Sequence, residues 1–163
     1  MKNNNDMNLN KMDQSSYTIF FLMLGASFVA MYITMYLNTY EFDHVYFSLT
    51  RFYMTCLGIA AMAVIMLSLM LKMYKDKKRN IAIYLSSLVL FVTALVLVRA
   101  QGPIIGDVLW MKAMIPHHSI AILTSERADI EDPEVQQLAE DIIKAQKREI
   151  EEMKVMIRRL ENE

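Results

Sequence analysis

Three long apolar segments without a charged residue constrain this fold more than any other feature. They are residues 17–37, 52–71 and 81–98. A helix needs roughly 20 apolar residues to cross the hydrocarbon core of a bilayer, with about 17 as the lower limit. Such a helix satisfies its own backbone hydrogen bonds in lipid, whereas a soluble helix also needs a polar face for water. The segments therefore predict three transmembrane helices.

The charges of the connecting segments predict how these spans are oriented. Lys and Arg accumulate in short cytoplasmic loops. The first connection carries Glu41 and Asp43, with Arg51 as its only basic residue. The second connection is basic, with Asp76 set against Lys72, Lys75, Lys77, Lys78 and Arg79. This contrast predicts a cytoplasmic N-terminus, and it places the first connection and everything after Val98 outside.

Composition divides the chain into three parts. Residues 1–16 are polar and rich in Asn, which predicts a disordered cytoplasmic tail. Residues 17–100 form the transmembrane region in contact with the lipid bilayer. Residues 101–163 form an acidic extracytoplasmic segment with eight Lys/Arg and thirteen Asp/Glu. A surface with this negative balance disfavours nucleic acid as a partner and favours cations.

The outer segment has the pattern of two antiparallel helices. A Gly-Pro pair at 102–103 breaks the chain, and a first helical pattern then runs over about 107–128. A second begins at Asp132-Pro133, since Asp suits the N-cap and Pro the first helical position. Its apolar residues have the spacing of one buried stripe: Val135, Leu138, Ala139, Ile142, Ile143, Ile150, Met153, Ile157 and Leu160. The short turn between the two predicts an αα-hairpin.

The apolar stripes of the hairpin need more cover than two helices give each other. Four helices are the usual solution, so we expect two chains to pair outside the membrane as a homodimer in a four-helix bundle. The alternative is that the hairpin packs on the membrane helices of its own chain. In both cases the fold is all-α, with three transmembrane helices followed by an extracytoplasmic hairpin.

Methionine and histidine side chains share one face of the first hairpin helix. Residues three or four apart lie on the same face, so Met111, Met114 and His118 line up, with His117 at the edge. Thioethers select Cu(I), and imidazole accepts copper in either oxidation state. This donor set indicates a copper site. The same pattern also fits packing without metal, because Met is a common core filler and histidines also lie at solvated boundaries.

An antiparallel second helix brings further side chains opposite this face. A turn near residue 130 predicts that Gln146, Glu149 and Met153 lie there, with Met156 one turn further along. Gln146 and Glu149 are suited to hold an imidazole proton. The predicted topology also puts His44, in the first connection, on the same side of the membrane as the hairpin.

The two hairpin helices resemble a bacterial family known as domain of unknown function 305. The resemblance is carried by Met-Lys-Ala-Met-Ile-Pro-His-His-Ser at 111–119 and by Gln-Lys-Arg-Glu-Ile-Glu-Glu-Met at 146–153. It implies a ferritin-like helical fold outside the cytoplasmic membrane of a bacterium, with copper bound by some members. The motif residues correspond to Met111, Met114, His117, His118 and Met153. Family members often have a further Met where this chain has Thr124.

The sequence favours copper handling over two other functions. We expect Cu(I), and also silver, to bind at the outer face of the bacterial plasma membrane, for sequestration or for delivery to other copper-handling proteins. A structural adaptor that binds a partner helix would need only the apolar stripe. A ferritin-like oxidase would need about four carboxylates and Glu-x-x-His motifs. The outer segment contains no Glu-x-x-His, so we find no complete catalytic constellation.

Methionines also recur along the second span, at Met62, Met66, Met70 and Met73. One interpretation is a path for soft metal ions through the bilayer. The favoured interpretation is packing, because Met fills irregular gaps between helices well.

Overall fold

The computed structural model describes residues 4–102 and 104–162, and it describes side chains from residue 15 onward. The described residues form helices and turns without strands, so the predicted all-α class is confirmed. The helices are α1 (Asn4–Thr34), α2 (Leu49–Leu69), α3 (Lys77–Ala100), α4 (Asp107–Arg127) and α5 (Pro133–Glu161), with a short 3₁₀ helix at Phe42–His44. The chain forms two compact units. The helical unit is Met1–Tyr32 with Phe52–Ala100, and the hairpin unit is Ile33–Arg51 with Gln101–Glu163.

Each of the first three helices is long and apolar enough to cross a membrane. The qualifying segments are Ser15–Thr34, Leu49–Leu69 and Lys77–Ala100, which confirms three apolar helices by length and composition. Only a minority of the residues in each apolar window is buried within the protein. The remaining apolar surface is unfavourable in water, and a bilayer would cover it.

The first helix differs from the sequence prediction at both ends. It ends at Thr34 instead of Leu37, and the hydroxyl of Thr39 donates to the carbonyl oxygen of Tyr36 at 2.9 Å. Local bonds of this type compete with helix continuation. At the other end α1 begins at Asn4, because a helix once nucleated extends at low cost. Helix therefore reaches into the segment predicted to be a disordered tail, whose first three residues lie outside the described part.

The core of the helical unit forms where α1, α2 and α3 meet. Its buried residues are Tyr17, Phe20, Leu24, Ile59, Ala63, Leu67, Tyr74 and Ile83. Met62, Met66 and Met70 are partly buried and pack against this core. Gly58 allows α1 to come close, because a Cβ at this position would stand 2.9 Å from the sulfur of Met31. These contacts support packing as the role of the methionine stripe.

The hairpin unit contains the two helices predicted for the outer segment. The carboxylate of Asp132 accepts hydrogen bonds from the backbone N–H groups of Glu134 and Val135, and Pro133 is the first residue of α5. Both predicted features of this N-terminus are therefore present. An ion pair between Lys112 and Glu161 joins the start of α4 to the end of α5, so the two helices run antiparallel.

The hairpin core covers only part of the predicted apolar stripe. Its buried residues are Met111, Ile115, Ile122, Ile150, Met153 and Ile157. By contrast, Val135 is 46% exposed and Leu138 is 58% exposed. The first two turns of α5 therefore present apolar side chains without cover in the single chain.

Candidate functional site

Three of the predicted thioether ligands belong to one apolar cluster. Met111 on α4 and Met153 on α5 are buried, with 4% and 6% of their surface exposed. Met114 is half-buried and packs against the same cluster. The i, i+3 spacing on α4 and the antiparallel pairing of α5 bring these side chains to a common region. The cluster is a packed core, and it is also a concentration of soft donors.

His118 lies on α4, one turn after Met114, and faces Glu149 on α5. Its Nδ1 is 3.3 Å from Oε2 of Glu149, yet the two atoms are not aligned for a hydrogen bond. Nδ1 is buried and has no hydrogen-bond partner among the described residues. Burial lowers the pKa of His118, with a smaller lowering by His117 and an opposing effect of Glu149. The ring is therefore neutral near pH 7, the form in which imidazole binds metals.

The other predicted ligands of the hairpin are not part of the apolar cluster. His117 is exposed, and its ring centroid is 6.3 Å from that of His118. Gln146 is half-buried, and Met156 is 43% exposed. The structure thus brings three methionines together and pairs His118 with Glu149, but leaves His117 and Met156 at the surface.

The first connection packs against the hairpin through the hydroxyl of Ser119. The backbone N–H of Tyr40 donates to Oγ of Ser119 at 2.6 Å, and Nδ1 of His44 lies 3.0 Å from the same oxygen. His44 and Ser119 are both buried. The sequence predicted only that His44 lies on the same side of the membrane as the hairpin. Its contact with Ser119 joins residues 75 positions apart, which helical spacing does not predict.

A buried lysine on α5 makes a second link to the first connection. The ammonium of Lys154 donates to Oδ2 of Asp43 at 2.6 Å and to Oε1 of Glu151 at 3.1 Å. Burial would lower the pKa of Lys154, but these two hydrogen bonds outweigh it and leave the pKa above its ordinary value. The hydrogen bond from Lys154 holds the pKa of Asp43 below its usual range. Lys154 follows Ile150 by four residues, a spacing that marks it as part of the buried stripe.

Comparison with known proteins gives two matches. Residues 96–161 match the family described as Domain of unknown function (DUF305). The chain is also 36% identical, over 146 residues, to an uncharacterized protein of Acanthamoeba polyphaga mimivirus. That alignment covers 86% of this chain and 93% of the viral protein, so it extends well beyond the hairpin. No solved structure matches the chain.

Replacing Ser119 by Ala should destabilise the hairpin unit. The substitution leaves the N–H of Tyr40 and Nδ1 of His44 without their common partner, and a buried polar group without a hydrogen bond costs about 1–3 kcal/mol. We expect a lower melting temperature of the detergent-solubilised chain by circular dichroism. Ser125→Ala, on the same helix, is the control. Equal melting temperatures for the two variants would contradict this role of Ser119.

Acidification should reduce stability as the pH falls through about 6.5, the ordinary pKa of histidine. Burial is the main cause that lowers the pKa of His44 and of His118. The unfolded chain, whose histidines titrate at about 6.5, therefore binds protons at a higher pH than the folded chain. Stability is complete above that pKa and falls as the pH falls through it. The melting temperature, measured against pH with a chelator present, should depend less steeply on pH in His44→Asn/His118→Gln. An unchanged slope would refute this origin.

Proposed function

The chain belongs to the family of proteins that share the DUF305 domain, and on this premise we propose that its hairpin binds Cu(I), and also Ag(I). The observation that carries the proposal is the clustering of three thioethers beside a free imidazole nitrogen. Met111, Met114 and Met153 share one apolar cluster. One turn further along α4, Nδ1 of His118 is buried without a hydrogen bond among the described residues.

The donor set fits a soft monovalent ion. Thioethers are uncharged, so they can be buried in an apolar cluster without the desolvation penalty of a carboxylate, and they favour Cu(I) over hard cations. His118 supplies a borderline imidazole donor. The carboxylate of Glu149, 3.3 Å from Nδ1, places a negative charge beside the proposed ion. His117 is exposed, which suits exchange of the ion with a second protein.

The proposed location is the outer face of a bacterial plasma membrane. Three helices of sufficient length and apolarity support membrane insertion. The basic connection at 70–79 supports a cytoplasmic N-terminus under the positive-inside rule. Contacts between the first connection and α4 support one side of the membrane for both segments. There the protein would sequester copper or deliver it to other copper-handling proteins.

We further propose that two chains pair through their hairpins in a ferritin-like four-helix bundle. The exposed apolar side chains of Val135 and Leu138 support this pairing, because they extend the stripe that is buried further along α5. The same exposed surface is the observation that favours the second candidate function, an adaptor that binds a helix of another protein. The two candidates differ in whether the hairpin needs its sulfur atoms.

Removing the two buried thioethers should abolish binding of Cu(I). Met111→Leu/Met153→Leu keeps the volume of the cluster, since such exchanges usually cost less than about 1.5 kcal/mol. We expect the detergent-solubilised full-length double variant to take up less Cu(I) than the wild type in competition with a chromogenic Cu(I) chelator. Its binding of Ag(I) should fall in parallel. The control Met66→Leu removes a thioether from the second span and should bind as the wild type does. Undiminished binding by the double variant would favour the adaptor.

A charge on the exposed stripe should disrupt the homodimer. Leu138→Glu places a carboxylate in the proposed contact, where burial without a partner is unfavourable. We expect the mass measured by light scattering in detergent to change from two chains to one. Gln137→Glu adds the same charge on the neighbouring position and should leave the mass unchanged. A monomeric wild type, or a dimeric Leu138→Glu variant, would exclude pairing through this stripe.

A further inference from the structure

Three side chains of the first connection converge on a point outside the methionine cluster. Nε2 of His44 lies 3.7 Å from Oδ1 of Asp43 and 3.8 Å from Oε2 of Glu41. The ligand atoms of the three residues all lie within 4.8 Å of one another. We propose that Glu41, Asp43 and His44 form a second metal site, which binds a divalent transition-metal ion of the Zn(II) class. This site is independent of the proposed Cu(I) function.

The imidazole of His44 is held with one nitrogen free. Its side chain is only 6% exposed, and its Nδ1 is 3.0 Å from Oγ of Ser119. Nε2 makes no hydrogen bond within the described part of the chain, and it faces the two carboxylates. Histidines that bind metals usually donate the N–H of the other ring nitrogen to an acceptor, which fixes the ring. When Nδ1 carries the ring proton, Ser119 provides that acceptor, and Nε2 is then the basic nitrogen that the buried ring directs towards Glu41 and Asp43.

The distances suit a small ion. Zinc binds imidazole nitrogen and carboxylate oxygen at about 2.0–2.2 Å, so two ligand atoms in a tetrahedron lie about 3.4 Å apart. The observed separations of 3.7 and 3.8 Å are wider by only a few tenths of an ångström. Glu41 and Asp43 are exposed, and their side chains can move by this amount. A cavity of about 270 Å³ beside Glu41 and His44 leaves room for water as a further ligand.

The surrounding charges leave the site negative. Lys154 binds Oδ2 of Asp43 and also Glu151, so Oδ1 of Asp43 remains available on the side of His44. The three carboxylates of Glu41, Asp43 and Glu151 are then balanced by only one ammonium group, that of Lys154. Lys147 lines the cavity as well, but its own ammonium is 3.9 Å from a carboxylate oxygen of Glu126. A divalent cation would neutralise the remaining negative charge, which Lys154 alone does not balance.

The donor types separate this site from the methionine cluster. One imidazole nitrogen and two carboxylate oxygens favour borderline divalent ions such as Zn(II), Co(II) and Fe(II), whereas thioethers favour Cu(I). The two sites should therefore respond to different probes. Co(II) reports the nitrogen–oxygen site through its visible absorption, and Ag(I) reports the sulfur site.

The experiment titrates the chelator-stripped, detergent-solubilised full chain with Co(II). We expect saturable binding of about one equivalent to the wild type, and its loss in Glu41→Gln and in His44→Asn. Asn retains an amide near the position of Nδ1 for Ser119 but has no counterpart of Nε2. Glu126→Gln is the charge control, because it removes a nearby carboxylate that accepts a hydrogen bond from Tyr40 at 3.1 Å. Zn(II) should displace Co(II) from the wild type.

Binding of Co(II) that survives both ligand substitutions would overturn the proposal, and so would an equal loss in Glu126→Gln. Glu41 is exposed, so Glu41→Gln decides the question even if His44→Asn fails to fold. The pair Met111→Leu/Met153→Leu should lose Ag(I) and keep Co(II), while Glu41→Gln should do the reverse. Failure of the Cu(I) site alone would therefore leave the second site standing, and the two outcomes are distinguishable.

Discussion

The arrangement of the hairpin unit depends on one buried oxygen, Oγ of Ser119. A serine hydroxyl has one donor and two acceptor positions, and here it meets both the N–H of Tyr40 and Nδ1 of His44. These bonds bring the first connection onto α4, since a buried polar group without a partner is costly. The Lys154–Asp43 pair adds a second link from α5. These two attachments position Tyr40, Asp43 and His44 of the first connection against the hairpin helices.

The parts of the structure that the sequence predicted are local in the chain. The predicted range of 107–128 corresponds to α4 at Asp107–Arg127, because the helical pattern lies within that segment and a helix-breaking Gly-Pro pair at 102–103 precedes it. Asp132 and Pro133 act at the N-terminus of α5 as their chemistry requires. Helical spacing also predicted that Met111 and Met114 share a face, and the antiparallel register brought Glu149 opposite His118.

The contacts that the sequence did not predict join distant residues. His44 and Ser119 are 75 positions apart, and Asp43 and Lys154 are 111 positions apart. Charge counting predicted only the side of the membrane for the first connection, because composition does not show which surface a loop meets. Periodicity likewise assigned Leu138 to a buried stripe, whereas it is exposed in the single chain. Periodicity predicts which face of a helix is apolar, but whether that face is buried depends on which other segments pack against it.

Burial separates the two proposed metal sites by the charge of their donors. Neutral thioethers lose little on transfer from water, so Met111 and Met153 lie in a dry cluster beside isoleucines. Ionised carboxylates lose much more, and Glu41 and Asp43 accordingly keep most of their surface in water while His44 is buried beneath them. A soft ion would thus be held in the apolar interior and a divalent ion at its wet edge. Ser119, which follows His118 directly, supports the imidazole of the second site, so a single turn of α4 contributes to both.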